Sequence, residues 1–479
     1  MNTPAPKSDT KRVVIIGGGI AGLSAAWYLQ QEADQRGLSV QYTVLEQSSQ
    51  WGGKIHTEQV EGIGDAPFIL EAGADAFLTR KPWALALARE LGLDARIQSV
   101  NQDQSRTFVV HRSKPTPLPA GLQLLVPTKL WSFLRSPLLS LWGKLRVGLD
   151  MFIPRRRDPT DESLADFVRR RLGAEALDVL AEPLLAGVYN AEPERQSILA
   201  TFPQFPALEK QYGSLIRGIR ATRHERVPDS TPPFISFQSG AQEIITALVT
   251  QLTGGLRLDA AVQRIQHIED AYVLTLNEGT SLQADAVILA TPANVTAALL
   301  RESAPEAATL LSAIRYASIG TIYLGFRRSE VPHLLNGFGL VIPGSERRRI
   351  DGMTWTSSKW NHRAPSGYVL LRVFFGGPYT RDMMDLDDTD LLAVIRDELR
   401  SLLGIEATPT FQRTYRWQNG YPQYDVGHLE RVAAIESSLP RGLYVAGSSY
   451  RGVGVPDCIK QGQAAARQGI ASISKEFIP

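Results

Sequence analysis

Cysteine is almost missing from this chain: Cys458 is the only one in 479 residues. That excludes an intramolecular disulfide and any zinc site built on several thiolates. A thiol-poor chain suits a reducing cytoplasm, so a cytoplasmic location is expected. An excess of one charge is also missing. Lys and Arg number 51 against 49 Asp and Glu, a net charge of +2, and no arginine-rich tail occurs. Nothing in that balance calls for nucleic acid. No uninterrupted apolar run approaches about 18 residues, so no membrane-spanning helix is expected. The opening "MNTPAPKSDTKR" lacks the apolar centre of a signal peptide and reads as a short disordered lead-in. Internal repeats and low-complexity tracts are absent. What remains is 43% hydrophobic and 21% charged, the balance of an ordinary globular protein. Its length predicts two or three domains around separate cores.

Glycine is well placed. "RVVIIGGGIAGLSAAWYLQQ" opens with Val13 to Ile16, a short β-branched run that predicts a buried parallel strand. Gly17, Gly18, Gly19, Ile20, Ala21 and Gly22 then satisfy G-x-G-x-x-G, and Leu23, Ala25, Ala26 and Leu29 recur at helical spacing. Such glycines allow a tight turn, close approach of a pyrophosphate and close helix packing, with the helix N-terminus facing the anion. A second strand, "VQYTVLE", ends in Glu46, where an acid binds ribose hydroxyls. The following "QSSQWGGKIHT" places a glycine pair and Lys54 just beyond Glu46 and Gln47. This second glycine element resembles the extended fingerprint of FAD enzymes. "LEAGADAFL" adds another small-residue loop, Ala72, Gly73, Ala74 and Asp75.

The far end of the chain mirrors this arrangement. "RGLYVAGSSYRGVGVPDCIKQGQAAARQGIAS" predicts a strand over Leu443 to Ala446, a glycine-valine loop, and a helix with Pro456 and Asp457 in its first turn. The small residues Gly452 and Gly454 let the backbone lie flat against a planar ring, Val453, Gly454 and Val455 are the cofactor-binding positions expected there, and the helix N-terminus favours negative charge on a reduced flavin. Between the two ends, residues 254–293 read as several short strands finishing in "ADAVILATPA", and further β segments follow in "GTIYLGF", "GFGLVIP", "MTWTSS" and "YVLLRVFFGG". "DTDLLAVIRDELRSLLG" predicts an amphipathic helix with Leu391, Leu392, Ile395, Leu399 and Leu402 on one side.

Residues 120–155 are rich in leucine and tryptophan, and Lys129, Arg135, Lys144, Arg146, Arg155, Arg156 and Arg157 outnumber the single acid of this stretch, Asp150. Two readings stand: helices lining the entrance of a hydrophobic pocket with solvated arginines, or a helical subdomain in peripheral contact with an anionic membrane.

The chain resembles the flavin-dependent porphyrinogen oxidases over nearly its whole length. The resemblance rests on "VVIIGGGIAGLSAAWYL", "GGKIHTE", "AGADAFL", "LAEPLLAGVYNAEPERQSILATFP", "GFGLVIP", "RWQNGYPQYDVGHLERV" and "GVGVPDCIKQGQAAA". The middle stretches are peculiar to that family, and the C-terminal ending is closer to its coproporphyrinogen branch. Ala76 departs from the serine of many members.

The resemblance implies an α/β fold of the two-dinucleotide-binding, amine-oxidase type. A discontinuous FAD domain would comprise 10–85, 230–295 and 435–477, a mostly helical subdomain 86–229, and a substrate-binding β-sheet domain with a helix 296–434. It implies FAD as cofactor, hydride transfer to flavin N5, oxygen as acceptor with peroxide as by-product, and coproporphyrinogen III as substrate in haem biosynthesis. Protoporphyrinogen IX is the alternative substrate. Another amine-oxidase-fold flavoenzyme, or a non-catalytic FAD-bearing binding protein of the same pathway, also stays open, as does contact with a ferrochelatase.

Carried residue by residue, the resemblance adds Val262 beside the adenine and Trp417 near the flavin to the cofactor set. Arg106 would face a propionate, and Phe338, Gly339, Val341 and Phe374 would wall the macrocycle. No side chain is assigned as acid or base, because the flavin carries the chemistry. A lone histidine such as His111 or His428 is more often structural.

Overall fold

The computed structural model describes residues 10–123, 125–223 and 232–474. The run Lys11–Ile16 is the central strand of a five-stranded sheet in the order Gly255–Arg257, Val40–Leu45, Lys11–Ile16, Ala286–Leu289, Leu443–Val445. All four pairings are parallel. A parallel sheet needs cover on both faces, which explains the continuous apolar run of Val13 to Ile16. Val13 and Ile15 face the helices Ile20–Arg36 and Val455–Ile473. Val14 and Ile16 face the opposite core, built from the helices Ala293–Leu300 and Pro305–Ser312 and the antiparallel strands Val262–Ile268, Ala271–Leu276 and Ser281–Ala284. Both ends of the chain therefore contribute to one layer.

A second sheet has seven strands in the order Phe411–Pro422, Tyr316–Arg327, Tyr368–Phe375, Gly352–Trp355, Gly339–Val341, Thr107–His111, Lys114–Pro117. Alternation divides its faces. Ile322, Leu324, Phe326, Leu371, Val373 and Phe375 pack against the helix Asp388–Leu403. That helix starts at Asp387, whose side chain accepts from the N–H groups of Thr389 and Asp390, and it stops at Gly404 in a left-handed conformation. Thr107–His111 and Lys114–Pro117 belong to this sheet, although they fall within the stretch 86–229 expected to be mostly helical. Strands of five and four residues carry too little periodicity to announce themselves.

The helical layer contains Leu130–Arg135, Leu141–Gly148 and Leu164–Arg171. It also contains a wide π-helical segment, Leu177–Ala186, around Pro183, whose missing N–H interrupts an ordinary helical ladder. The inward apolar side chains of this layer, among them Phe133, Val147, Phe167 and Leu180, form one core, against which Val341 of the sheet packs. No described helix is long and apolar enough to cross a membrane.

Candidate flavin and substrate site

The first glycine turn sits between the central strand and the helix Ile20–Arg36. A Cβ on Gly22 would lie 1.9 Å from the Gly17 carbonyl oxygen, so only glycine lets the helix close on its own turn. The Gly18 N–H donates to Glu46 Oε2 at 2.7 Å. The Ser48 N–H and hydroxyl both donate to Oε1 at 2.9 Å. Glu46 is thus buried and aimed by its neighbours. The second glycine element locks on directly, with the Gly52 N–H donating to the Gly18 carbonyl at 2.9 Å. Gln47 lies exposed beside it. Val262 begins a strand close by, because Ala260 donates to the Glu46 carbonyl and Glu46 to that of Arg257.

Lys54 is pushed below the usual amine range by burial. Its ammonium donates to the Gly420 carbonyl and has no carboxylate partner among the described residues. The Trp417 indole N–H donates to the Ala72 carbonyl at 2.8 Å, and Arg372 donates to that of Gly73 at 2.8 Å. Ala74 packs against the core of the nucleotide layer. The Asp75 carboxylate accepts from Lys359 at 2.7 Å and from the Trp360 indole at 3.3 Å. Those partners hold it well below the usual carboxylate range despite its burial. Its side chain is therefore committed to the protein, and only the backbone of this residue is free for a cofactor.

The C-terminal loop is held from the side by Tyr424. The Gly452 N–H donates to the Tyr424 hydroxyl at 2.8 Å, and that hydroxyl donates to the Ser448 carbonyl at 2.7 Å. The ring stacks on His428 with 3.9 Å between centroids. Gly454 then caps the helix Val455–Ile473 without a side chain, as Gly19 caps Ile20–Arg36. Asp457 in its first turn holds Lys81 at 2.6 Å. Cys458 is buried there, its thiol pushed up to about 12, far from nucleophilic. The two helices touch where a Cβ on Gly462 would lie 2.4 Å from the Ala21 carbonyl.

Sheet register assembles the opposite wall. Val341 pairs with Gly352, Gly352 with Phe374, Phe374 with Thr321 and Thr321 with Tyr415. Arg372 pairs with Tyr323 two residues along, and Ile319 with Trp417. Directly paired residues share a face, so Val341, Phe374, Arg372, Tyr323 and Trp417 all lie opposite the face that packs on the helix Asp388–Leu403. This is the face that reaches the loop Ala72 to Asp75.

Phe374 is half-buried, with the Arg372 guanidinium 4.8 Å from its ring centroid. Phe338 is half-buried and donates its N–H to the Arg106 carbonyl at 2.7 Å; the Arg106 side chain is exposed just before the strand Thr107–His111. Gly339 is explained by the sheet itself. Its φ is +143°, and a Cβ would come within 2.0 Å of the Met353 carbonyl.

Sequence reasoning missed Arg372, Tyr323 and Tyr424. Arg372 and Tyr323 sit inside apolar strand runs, and only their shared sheet face relates them to the loop at 72–75. The stretches AGVYN and PQYD, separate in sequence, meet here. Tyr421 donates to the Val188 carbonyl, Gln423 to that of Tyr189, and Asn190 to that of Ser318.

The flavin containing amine oxidoreductase family matches residues 20–469. A coproporphyrinogen III oxidase of Bacillus subtilis (strain 168) is 35% identical over 95% of this chain and 97% of that protein. The chain belongs to this family, in its porphyrinogen oxidase branch. A chloroplastic protoporphyrinogen oxidase of Oryza sativa subsp. japonica is 30% identical over 97% of this chain and 90% of that one. A solved structure from Exiguobacterium sp. 255-15, described as a candidate protoporphyrinogen oxidase, superimposes with a TM-score of 0.83. It shares 30% identity over 95% of this chain and 98% of that one.

The cofactor of this flavoprotein is FAD, and the residues present fit it. Two helix N-termini, at Gly19 and Gly454, have no side-chain cap; the first turn of Ile20–Arg36 has no acid, and that of Val455–Ile473 has Asp457, which is engaged by Lys81. Their N–H donors are available to phosphate at one end and to a ring at the other. The Lys54 ammonium, held by the Gly420 carbonyl and without a carboxylate partner among the described residues, adds a cation to this set.

Proposed function

We propose that this chain oxidises coproporphyrinogen III to coproporphyrin III, with oxygen as the final acceptor and hydrogen peroxide released. The observation that carries this reading is the single sheet face bearing Val341, Phe374, Arg372 and Trp417, joined to the loop Ala72 to Asp75 by the Trp417 and Arg372 hydrogen bonds. A porphyrinogen is a large apolar ring fringed by carboxylates. It calls for aromatic and aliphatic walls with cations at the rim. Phe338, Val341 and Phe374 supply walls, and exposed Arg106 supplies a rim cation. Bound FAD supplies the two-electron acceptance and the reaction with oxygen that the side chains cannot.

The protein's part is to bind, orient and exclude water. Gly17 to Gly22 and Lys54 would hold the diphosphate, Glu46 the ribose and Val262 the adenine side. Val453 to Val455 would receive the ring, with Trp417 fixing the facing loop. The coproporphyrin-forming relative is the more similar of the two named above, at 35% against 30% identity. The rice relative favours the second reading, protoporphyrinogen IX as substrate. The reaction is proposed to run in the cytoplasm, and a ferrochelatase is the partner class that would consume the product.

The deciding measurement is kcat/KM for the two porphyrinogens, followed by porphyrin fluorescence and peroxide. Coproporphyrinogen is expected to be preferred. The same assay on Arg106→Ala should raise KM more for the four-propionate substrate. Fluorescence no faster than autoxidation would end the proposal. Anaerobic porphyrinogen should bleach the flavin band near about 450 nm, and a band that stays yellow would point to a structural flavin.

A further inference from the structure

Three arginines are buried among the described residues, and each keeps its charge in the fold. Arg171 faces Asp150 and Glu209. Arg363 lies 3.4 Å from Glu71. Arg372, 5% exposed, has no carboxylate within ion-pair distance among the described residues. Its Nη2–H donates to the Gly73 carbonyl at 2.8 Å, and its Nε has no partner there. Two rings lie against the guanidinium, with centroids at 5.4 Å for Tyr323 and 4.8 Å for Phe374.

Asp75 feels this charge, but its carboxylate is bonded to Lys359 and to the Trp360 indole. Two cations therefore share one carboxylate, and a positive charge is left over behind the loop Ala72 to Asp75. Burying a cation without its anion costs more than contacts with aromatic rings return. A charge kept in this way awaits an anion that the polypeptide does not supply.

The position of the charge selects that anion. Arg372 holds the carbonyl of a loop proposed to border the flavin, and Phe374, a wall proposed for the macrocycle, packs on the guanidinium. A substrate carboxylate would have to displace that ring to reach Arg372. The isoalloxazine of bound FAD needs no such contact, because a charge acts over several ångströms through a dry protein interior. Two electrons and one proton turn the neutral oxidised ring into a reduced ring with one negative charge. A fixed cation nearby favours the reduced form and raises the reduction potential.

We propose that Arg372 is the positioning residue that tunes the flavin: it fixes the loop Ala72 to Asp75 through Gly73, and its unmatched charge sets the reduction potential of the bound cofactor. Asp75 and Lys359 form the counterweight to that charge. This holds whichever porphyrinogen the enzyme takes, because it rests on FAD alone.

The test is the midpoint potential of the FAD-loaded enzyme, read against a dye of known potential while dithionite supplies the electrons and no porphyrinogen is present. Arg372→Gln should lower the potential by at least about 30 mV, which is tenfold in the ratio of reduced to oxidised flavin for a two-electron couple. Arg372→Lys keeps the charge and should restore the greater part of that shift. Asp75→Asn removes the shared carboxylate and should move the potential upwards. Opposed signs are the mark of charge, since loosening the loop would not reverse direction between the two sites. In turnover, Arg372→Gln should lower kcat while KM changes little. A parental potential in Arg372→Gln would overturn the proposal, and a raised KM alongside it would assign Arg372 to a substrate carboxylate. Where Arg372→Gln retains no FAD, Asp75→Asn decides: a potential at or below that of the parent overturns the proposal.

Discussion

His428 shows how much one buried ring can impose on this fold. Its Nε2–H faces the Tyr450 carbonyl at 2.8 Å, and Nδ1 is buried without a partner. Protonating Nδ1 would strand a second buried N–H, and burial pushes the imidazole down to about 4. The folded protein therefore refuses a proton that the unfolded chain takes at the usual value near 6.5. This contribution to stability is complete above pH 6.5 and drains away as the pH falls towards 4. The expected loss is about 2 kcal/mol between pH 7.5 and about 5. Urea midpoints at those two pH values should shift less in His428→Gln than in the parent. Asp351, which burial pushes up to about 6, acts in the opposite direction. It is common to both proteins and cancels in the comparison, and equal shifts would remove His428 as the cause. At this scale Glu46 was readable, because its spacing from the glycines is set along the chain. The commitment of Asp75 was not, because Lys359 and Trp360 reach it from far away in sequence.

At the scale of the element, the loop from Gly447 to Gly454 is the one proposed to receive the flavin ring. Its strand and helix were legible from apolar run, proline and acid, and the strand Leu443–Val445 ends one residue short of the expected Ala446. What holds the loop was not legible. Tyr424 lies in a stretch singled out only by family resemblance, and its hydroxyl serves Gly452 and Ser448 at once. Tyr424→Phe leaves both backbone groups without this partner, at about 1–3 kcal/mol for a buried unsatisfied group. Part of that should appear in cofactor affinity. Titration of the apoprotein with FAD, followed by flavin fluorescence, is expected to give about tenfold weaker binding. An unchanged dissociation constant would mean that the loop holds its shape without Tyr424.

At the scale of the whole molecule, a buried ionic cluster ties the helical layer together. Arg171 donates to Asp150 Oδ1 at 2.7 Å and to the carbonyls of Ile153 and Gly213, while Asp150 Oδ2 accepts from the Ser214 hydroxyl and the Ile216 N–H. Both charged side chains are wholly enclosed. Asp150→Asn removes the nearer of the two countercharges of a buried guanidinium, leaving Glu209 at 3.5 Å, and should cost about 3 kcal/mol. A urea midpoint close to that of the parent would show that Glu209 and the remaining carbonyl acceptors suffice. Because the helical layer packs on Val341, the same variant is expected to weaken substrate binding before it releases flavin.

The strand–turn–helix–strand framework of the parallel layer could be read along the chain. Glycine spacing, a β-branched run and an acid at the end of the next strand are consequences of local backbone geometry, and local geometry is written in consecutive residues. The remainder depended on contacts between distant segments. The wall of Val341, Phe374, Arg372 and Trp417 exists only through sheet register, which pairs segments far apart in the chain. Likewise, apolar periodicity in residues 130–152 is the same whether a helix face turns inward or outward, and only the packed core settles that both are present and one is uncovered.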